Sequence, residues 1–265
     1  MTTATLRDGT TTQDRRLDRL VEFDERSRAF PVSATIPAQA IARSRSHPLG
    51  LHLDQGAEGA CVEFGLCHEM AASPVRVAEA IVRAITREHA IYYPAQRDDP
   101  WPGGSYPGAS PVYEGTSVLS GLKRVVALGY ATGYRWCFGL ADVVMALGNK
   151  GPVVFGLVWM QGMASPDARG FITATGASLG GHCVLGKAIK VVWKRGTTAA
   201  MKREPRWLDY VDLDASFVTL HQSWGTDHGD GGDVYLSLRD LGTLLGMQGE
   251  AAYLEGRRAT VRVAA

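Results

Sequence analysis

Between Pro74 and Ile85 apolar residues recur at steps of three and four (Ala78, Ile81, Val82, Ile85), the repeat of a helix that buries one face. Ser73 and Pro74 suit a cap and a first turn, so the predicted helix begins there. A helix-compatible run also covers Cys61 to Ala72, with Phe64 and Met70 among small residues, fed by the flexible stretch Gly56 to Ala60. Thr116 or Ser117 can cap a third helix ending near Gly129. The proline- and glycine-rich stretch Pro94 to Pro111 predicts a surface loop without regular structure. Later the texture turns to strands: Val153 to Trp159, Val184 to Val192, Phe217 to Ser223 and Val234 to Leu238 are rich in branched or aromatic residues. Helices first and strands later predict an α+β protein of two lobes with a cleft between them, not a doubly wound parallel sheet.

The first 48 residues break this pattern. They alternate charge clusters (Asp14, Arg15, Arg16, Asp18, Arg19; Glu22, Asp24, Glu25, Arg26) with few large apolar side chains, which predicts an arm that adds little core and can be removed without loss of the fold. The resulting division is an arm at 1–48, a helical lobe at about 49–150, a β-rich lobe at about 151–238, and a C-terminal helix and tail at 239–265.

Across the 265 residues, 28 Lys and Arg against 27 Asp and Glu leave a formal charge of +1, too little to draw a nucleic acid without a local patch. The longest apolar run, Val153 to Met160, is far shorter than a membrane span, so no membrane role is expected. A polar start without a secretory pattern predicts a cytoplasmic protein, and its four cysteines are expected to be free thiols. Composition points to no oligomeric state.

Freedom from disulfides leaves a thiol available for chemistry. Cys61 opens a predicted helix, where unpaired N–H groups and the helix dipole favour an anion. Gln55 upstream could donate its amide to an oxyanion. His182, after Gly180 and Gly181 at the start of a strand, is a candidate base. Strand alternation would put Gln222 and Trp224 on one face, the amide orienting an imidazole and the indole shielding it. Rival patterns exist. Gly176-Ala177-Ser178-Leu179-Gly180 matches the nucleophile elbow of serine hydrolases, with Asp214 and His221 or His228 downstream. His52, Cys61, Cys67 and His68 lack the paired spacing of a zinc site, and the acidic glycine-rich stretch from Asp227 to Asp233 reads as a turn between strands, without the closing Glu of a calcium loop.

Three of these motifs, taken in order, resemble the papain-like cysteine peptidases. Gln55-Gly56-Ala57-Glu58-Gly59-Ala60-Cys61-Val62 is similar to their nucleophile motif, Gly181-His182-Cys183-Val184 to their histidine motif, and Gln222-Ser223-Trp224-Gly225-Thr226 to their Asn-Ser-Trp-Gly-Thr motif. The likeness runs from about Leu51 to Leu238. It implies a papain-like two-lobed fold, with a helical N-terminal lobe, an antiparallel β-rich C-terminal lobe and an active-site cleft between them. Cys61 and His182 would form a thiolate–imidazolium pair, Gln55 would hold the oxyanion and Gln222 would orient His182. Gly115, Thr116, Gly181 and Trp224 would line a polypeptide substrate, with no cofactor and no metal. Glu58 replaces the half-cystine of many members, and Val62 replaces their usual aromatic. Gln222 adds a methylene to the usual Asn, which leaves open a catalytically weakened binding module besides the serine hydrolase based on Ser178.

Overall fold

The structure is a computed structural model and describes residues 4–260. The arm carries four short strands: β1 (Ala4–Thr5) and β2 (Thr11–Thr12), which pair with each other, then β3 (Arg19–Leu20) and β4 (Arg45–Ser46). Helix α1 (Cys61–Ala71) follows, buried along its whole length, as expected of a helix with no polar stripe. Gly65 lets it approach the sheet: a Cβ there would lie 2.9 Å from Cys183 Sγ.

Helix α2 (Glu79–Glu88) buries Val82 and Ile85, as the apolar repeat predicts, but starts after Ala78 and not at Pro74. The intervening residues are tied back to what precedes them, Ser73 N–H to the Pro48 carbonyl and Val77 N–H to the Met70 carbonyl, so they cannot also begin a helix. Helix α3 (Tyr92–Asp98) contradicts the predicted absence of regular structure at Pro94. Pro94 falls in its first turn, where an N–H has no intrahelical partner to lose. Strand β5 (Thr116–Ser117) leads into α4 (Val118–Ala127), whose cap is Ser117, accepting from Ser120 N–H.

The second lobe is built on one sheet. Strand β6 (Gly133–Trp136) and helix α5 (Leu140–Asn149) precede β7 (Val153–Met160), β8 (Phe171–Ile172) and the long β9 (Ser178–Lys190). After these come β10 (Phe217–His221), β11 (Asp233–Ser237), α6 (Leu238–Gly246) and β12 (Glu250–Glu255). The strand order is β6-β12-β7-β9-β10-β11-β8, with β4 of the arm added against β9. The C-terminal tail is therefore not an appendage: β12 sits between β6 and β7, antiparallel to both.

Alternation along β9 joins the lobes. Cys183 and Leu185 face the core of α1, α2 and α4, whereas Val184 faces the core of α5, α6 and the sheet, which Ile189 joins past a β-bulge at Lys187. The arm departs from its prediction. Leu6, Leu17, Leu20, Val32 and Ala42 are all buried. These five enter gaps that the two lobes leave, whereas Val21, Phe23 and Phe30 stay exposed. Strand β3 runs parallel to β5, and Asp18 bridges to Gly181 in β9. No helix among the described residues is long and apolar enough to cross a membrane.

Candidate active site

Cys61 is the first residue of α1 and fully buried. Its Sγ receives the backbone N–H of Cys183 at 3.3 Å, so the residue after His182 rests directly on the sulfur. Its own N–H, free because a helix start has no earlier carbonyl to use, donates to Asp18 Oδ1 at 3.3 Å. The other Asp18 oxygen accepts from the Tyr92 hydroxyl at 3.2 Å.

His182 lies inside β9, not at its start. Its Nε2 meets Gln222 Oε1 at 3.0 Å, which fixes the proton on Nε2 and leaves the lone pair on Nδ1. The extra methylene of Gln222 is accommodated, because the carbonyl arrives at hydrogen-bonding distance. Trp224 stacks on the imidazole with centroids 4.5 Å apart, and Trp159 meets it edge-on at 4.9 Å. Strand alternation does not place Gln222 and Trp224, since β10 ends at His221. They come from the loop that follows, held by Gln222 N–H on the Gly232 carbonyl and by the Ser223 carbonyl accepting from Gln55 N–H.

Gln55 joins the same loop, its Oε1 accepting from Ser223 Oγ at 2.5 Å. Its amide donates to the Glu58 carbonyl at 2.7 Å, so in this state that donor is engaged within its own turn. Residues of the arm lie against Gly115, Thr116 and Gly181. A Cβ on Gly115 would come within 2.6 Å of the Asp18 carbonyl oxygen, and one on Gly181 within 2.2 Å of that of Arg19. Arg19 pairs with Thr116, and the Arg16 guanidinium covers the outer face of Trp224.

Burial under the arm sets the charges. The Cys61 thiol is pushed well above its usual pKa, first by desolvation and then by the neighbouring Asp18. His182 is pulled down to about 3, again chiefly by desolvation, against the raising effect of Gln222. Both groups are neutral near pH 7, and His182 Nδ1 makes no hydrogen bond among the described residues. Asp18 is raised to about 7 by burial, although its hydrogen bonds from Cys61 and Tyr92 oppose the shift.

The rival patterns fare differently. Ser178 is exposed at the first residue of β9, so a strand follows it where the serine elbow needs a helix. Asp214 is engaged by Arg239 and His221 by Asp233. His52 and His68 gather with His221, not with Cys61 and Cys67, one nitrogen from each histidine lying within 4.8 Å of the others. His221 donates to Asp233 at 2.6 Å, His52 Nδ1 lies 3.1 Å from His221 Nε2, and Leu53 N–H donates to His68 Nε2 at 3.0 Å. That last bond uses the His68 Nε2 lone pair and leaves the proton on Nδ1, so His68 has no lone pair to offer an ion; His52 and His221 are bonded to each other, and His68 meets His221 only edge-on. All four cysteines are free thiols.

Asp18, Arg19, Tyr92 and Glu250 went unseen in the sequence. The first two sit in a charge cluster that reads as solvated, and nothing local marks Tyr92 or Glu250 as facing a groove.

The chain has the fold of the papain-like cysteine proteases. It superposes on xylellain, a cysteine protease from Xylella fastidiosa, with a TM-score of 0.56 and 15% identity, covering 93% of this chain and 98% of that one. Digestive procathepsin L 3 from the larval midgut of Tenebrio molitor matches with a TM-score of 0.50 and 14% identity, over 92% of this chain and 75% of that one. A structure from work on the mite allergens Blo t 1 and Der p 1 matches with a TM-score of 0.50 and 15% identity, over 91% and 76% of the two chains. No family model and no curated sequence matches the chain.

Proposed function

We propose that the chain is a cysteine-type peptidase whose groove is covered by its own N-terminal arm. The observation that carries this reading is the arrangement around one sulfur. The Cys183 N–H touches it, the neighbouring His182 is held by Gln222, and Asp18 of the arm already occupies the Cys61 N–H. In this state the arm presents a side-chain carboxyl to that N–H, and a carboxyl is a poor electrophile. In this state the arm is therefore a cover.

Once the arm leaves, water returns to His182 and its pKa recovers, so the Cys61 thiol can pass its proton to Nδ1. The thiolate attacks a peptide carbonyl carbon, and the carbonyl oxygen, now anionic, takes the N–H that Asp18 vacates. Gln55 adds a second donor when its amide turns from the Glu58 carbonyl. His182 gives its proton from Nδ1 to the leaving amine as the C–N bond breaks. A water molecule, deprotonated by the same nitrogen, then displaces the thiolate from the acyl group. Gln222 keeps Nε2 engaged, which leaves Nδ1 as the nitrogen that exchanges the proton.

The test is a peptide-library digest by the chain carrying Leu17→Ala, which loosens the arm by removing a buried side chain, and by the same chain carrying in addition Cys61→Ala or Gln222→Ala. Fragments are expected from the first, a loss of at least about a thousandfold in the second, and a drop of about ten- to a hundredfold in the third. Undiminished cleavage by Cys61→Ala contradicts the reading.

A further inference from the structure

Three histidines meet against the loop that carries Gln222, each brought there by a different segment of the site. His221 ends β10 and directly precedes Gln222, His52 lies in the stretch that leads to Gln55, and His68 sits two turns along α1 from Cys61. They reach the loop through Gly232, whose carbonyl accepts the Gln222 N–H at 2.7 Å. A Cβ on Gly232 would come within 2.7 Å of His52 Cε1 and 3.2 Å of His221 Cε1, so the residue that holds Gln222 rests directly on two imidazoles.

Each ring has a place for one proton and a poor place for another. His221 Nδ1–H donates to Asp233 Oδ1, which leaves its Nε2 lone pair to accept from His52 Nδ1–H. His52 Nε2 is buried without a partner, and His68 keeps its proton on an Nδ1 that also has none among the described residues. A further proton on His68 Nε2 would oppose the Leu53 N–H, on His221 Nε2 it would oppose the His52 N–H, and on His52 Nε2 it would find no acceptor. The surrounding charges do not offset this cost. Asp54 and Asp233 favour a charge on His52, but Asp233 is already paired with Lys187 Nζ at 2.5 Å, Arg83 of α2 opposes a charge on His52, and Lys187 opposes one on His68. Burial first, and then the other rings, hold His52 and His68 below the ordinary histidine value of 6.5. A histidine lowered by folding contributes stability that is present above pH 6.5 and lost as pH falls.

We propose that His52, His68 and His221 position Gln222 only while they are uncharged, so that acid, by charging these rings, drives Gly232 off them, frees the Gln222 loop and uncouples His182. Neighbouring imidazolium ions repel, and they can part only if one of the segments that carry them moves. The three act through Gln222 and are positioning residues. Release of the loop stands apart from the peptidase reading, whereas the loss of cleavage that follows from it rests on that reading.

The experiment follows amide hydrogen exchange of the full chain at pH 7 and at pH 4.5, corrected for the intrinsic pH dependence of exchange. The Gln222 amide is expected to lose protection at least about tenfold at pH 4.5, while the amides of β7 and the middle of β9 keep theirs. The variant carrying His52→Gln and His68→Gln retains neutral hydrogen-bonding groups at both places, including an acceptor for the Leu53 N–H, and cannot take up the protons. Its Gln222 amide is expected to be equally protected at the two pH values. If the double variant does not fold, His52→Gln alone is expected to reduce the acid loss severalfold. Equal protection of Gln222 at both pH values in the native chain overturns the proposal, as does an acid loss that the glutamine variants share in full or one that spreads over the whole sheet. Cleavage by the Leu17→Ala chain separates the two readings: none at any pH sinks the peptidase reading alone, and cleavage undiminished at pH 4.5 sinks this one alone.

Discussion

Two stretches of the arm look alike in sequence and behave oppositely in the fold. Residues 17–20 and 23–26 each mix charges with large apolar side chains. In the first, Leu17, Asp18, Arg19 and Leu20 are buried, whereas Phe23 is 74% exposed and the Arg26–Asp24 pair lies open to solvent. The difference lies in the partners. The groove offers Asp18 a free helix N–H and a tyrosine hydroxyl, and it offers Arg19 a carboxylate and a carbonyl. Asp24 and Arg26 find only each other, in a pairing that water screens. Charge clusters therefore say little about burial until the surface they meet is known.

The sharpest way to break this comparison is to truncate one apolar residue from each stretch. Leu17→Ala is expected to cost about 2–4 kcal/mol, visible as a fall of several degrees in melting temperature, whereas Phe23→Ala should stay within about 0.5 kcal/mol. Equal effects would show that residues 17–20 are not seated as described.

A smaller effect comes from pH. Asp18, raised to about 7 in the seated state from an ordinary 3.8, contributes stability that is fully present below pH 3.8 and is lost as pH rises toward 7. His182, lowered to about 3 from 6.5, contributes stability present above pH 6.5 and lost as pH falls toward 3. Across roughly pH 4 to 6.5 the two oppose each other, and their similar size leaves their combined contribution nearly flat. Asp18→Asn removes one side of the balance. Its melting temperature is expected to fall progressively relative to the native chain between pH 6.5 and 4, and parallel curves for the two proteins would refute the balance.

What the sequence made legible follows the same division. Periodicity placed the body of α2, the Ser117 cap of α4 and the strands β7, β9, β10 and β11, because one face of each element meets the core. The motifs brought out Cys61, His182 and Gln222, since short-range order around glycines and tryptophan survives in the string of letters. The start of α2 was lost because tertiary hydrogen bonds from Ser73 and Val77 override a local cap signal. Helix α3 was lost because proline was read as a breaker where a first turn tolerates it. Most of all, Asp18, Arg19 and Glu250 depend on contacts between residues distant in the chain, Arg19 and Glu250 being 231 positions apart, which no window along the sequence can register.

The most direct measurement for the central claim is the rate at which iodoacetamide alkylates Cys61 at pH 5.5, read by peptide mapping. The native chain should react slowly, with its thiol neutral beneath the arm. Leu17→Ala, with the arm loosened, should react at least about tenfold faster at this pH, because His182 can then hold the thiolate as its counter-ion. That gain should vanish when His182→Ala is added. Equal labelling of all three proteins, rising only at alkaline pH, would contradict a reactive pair masked by the arm.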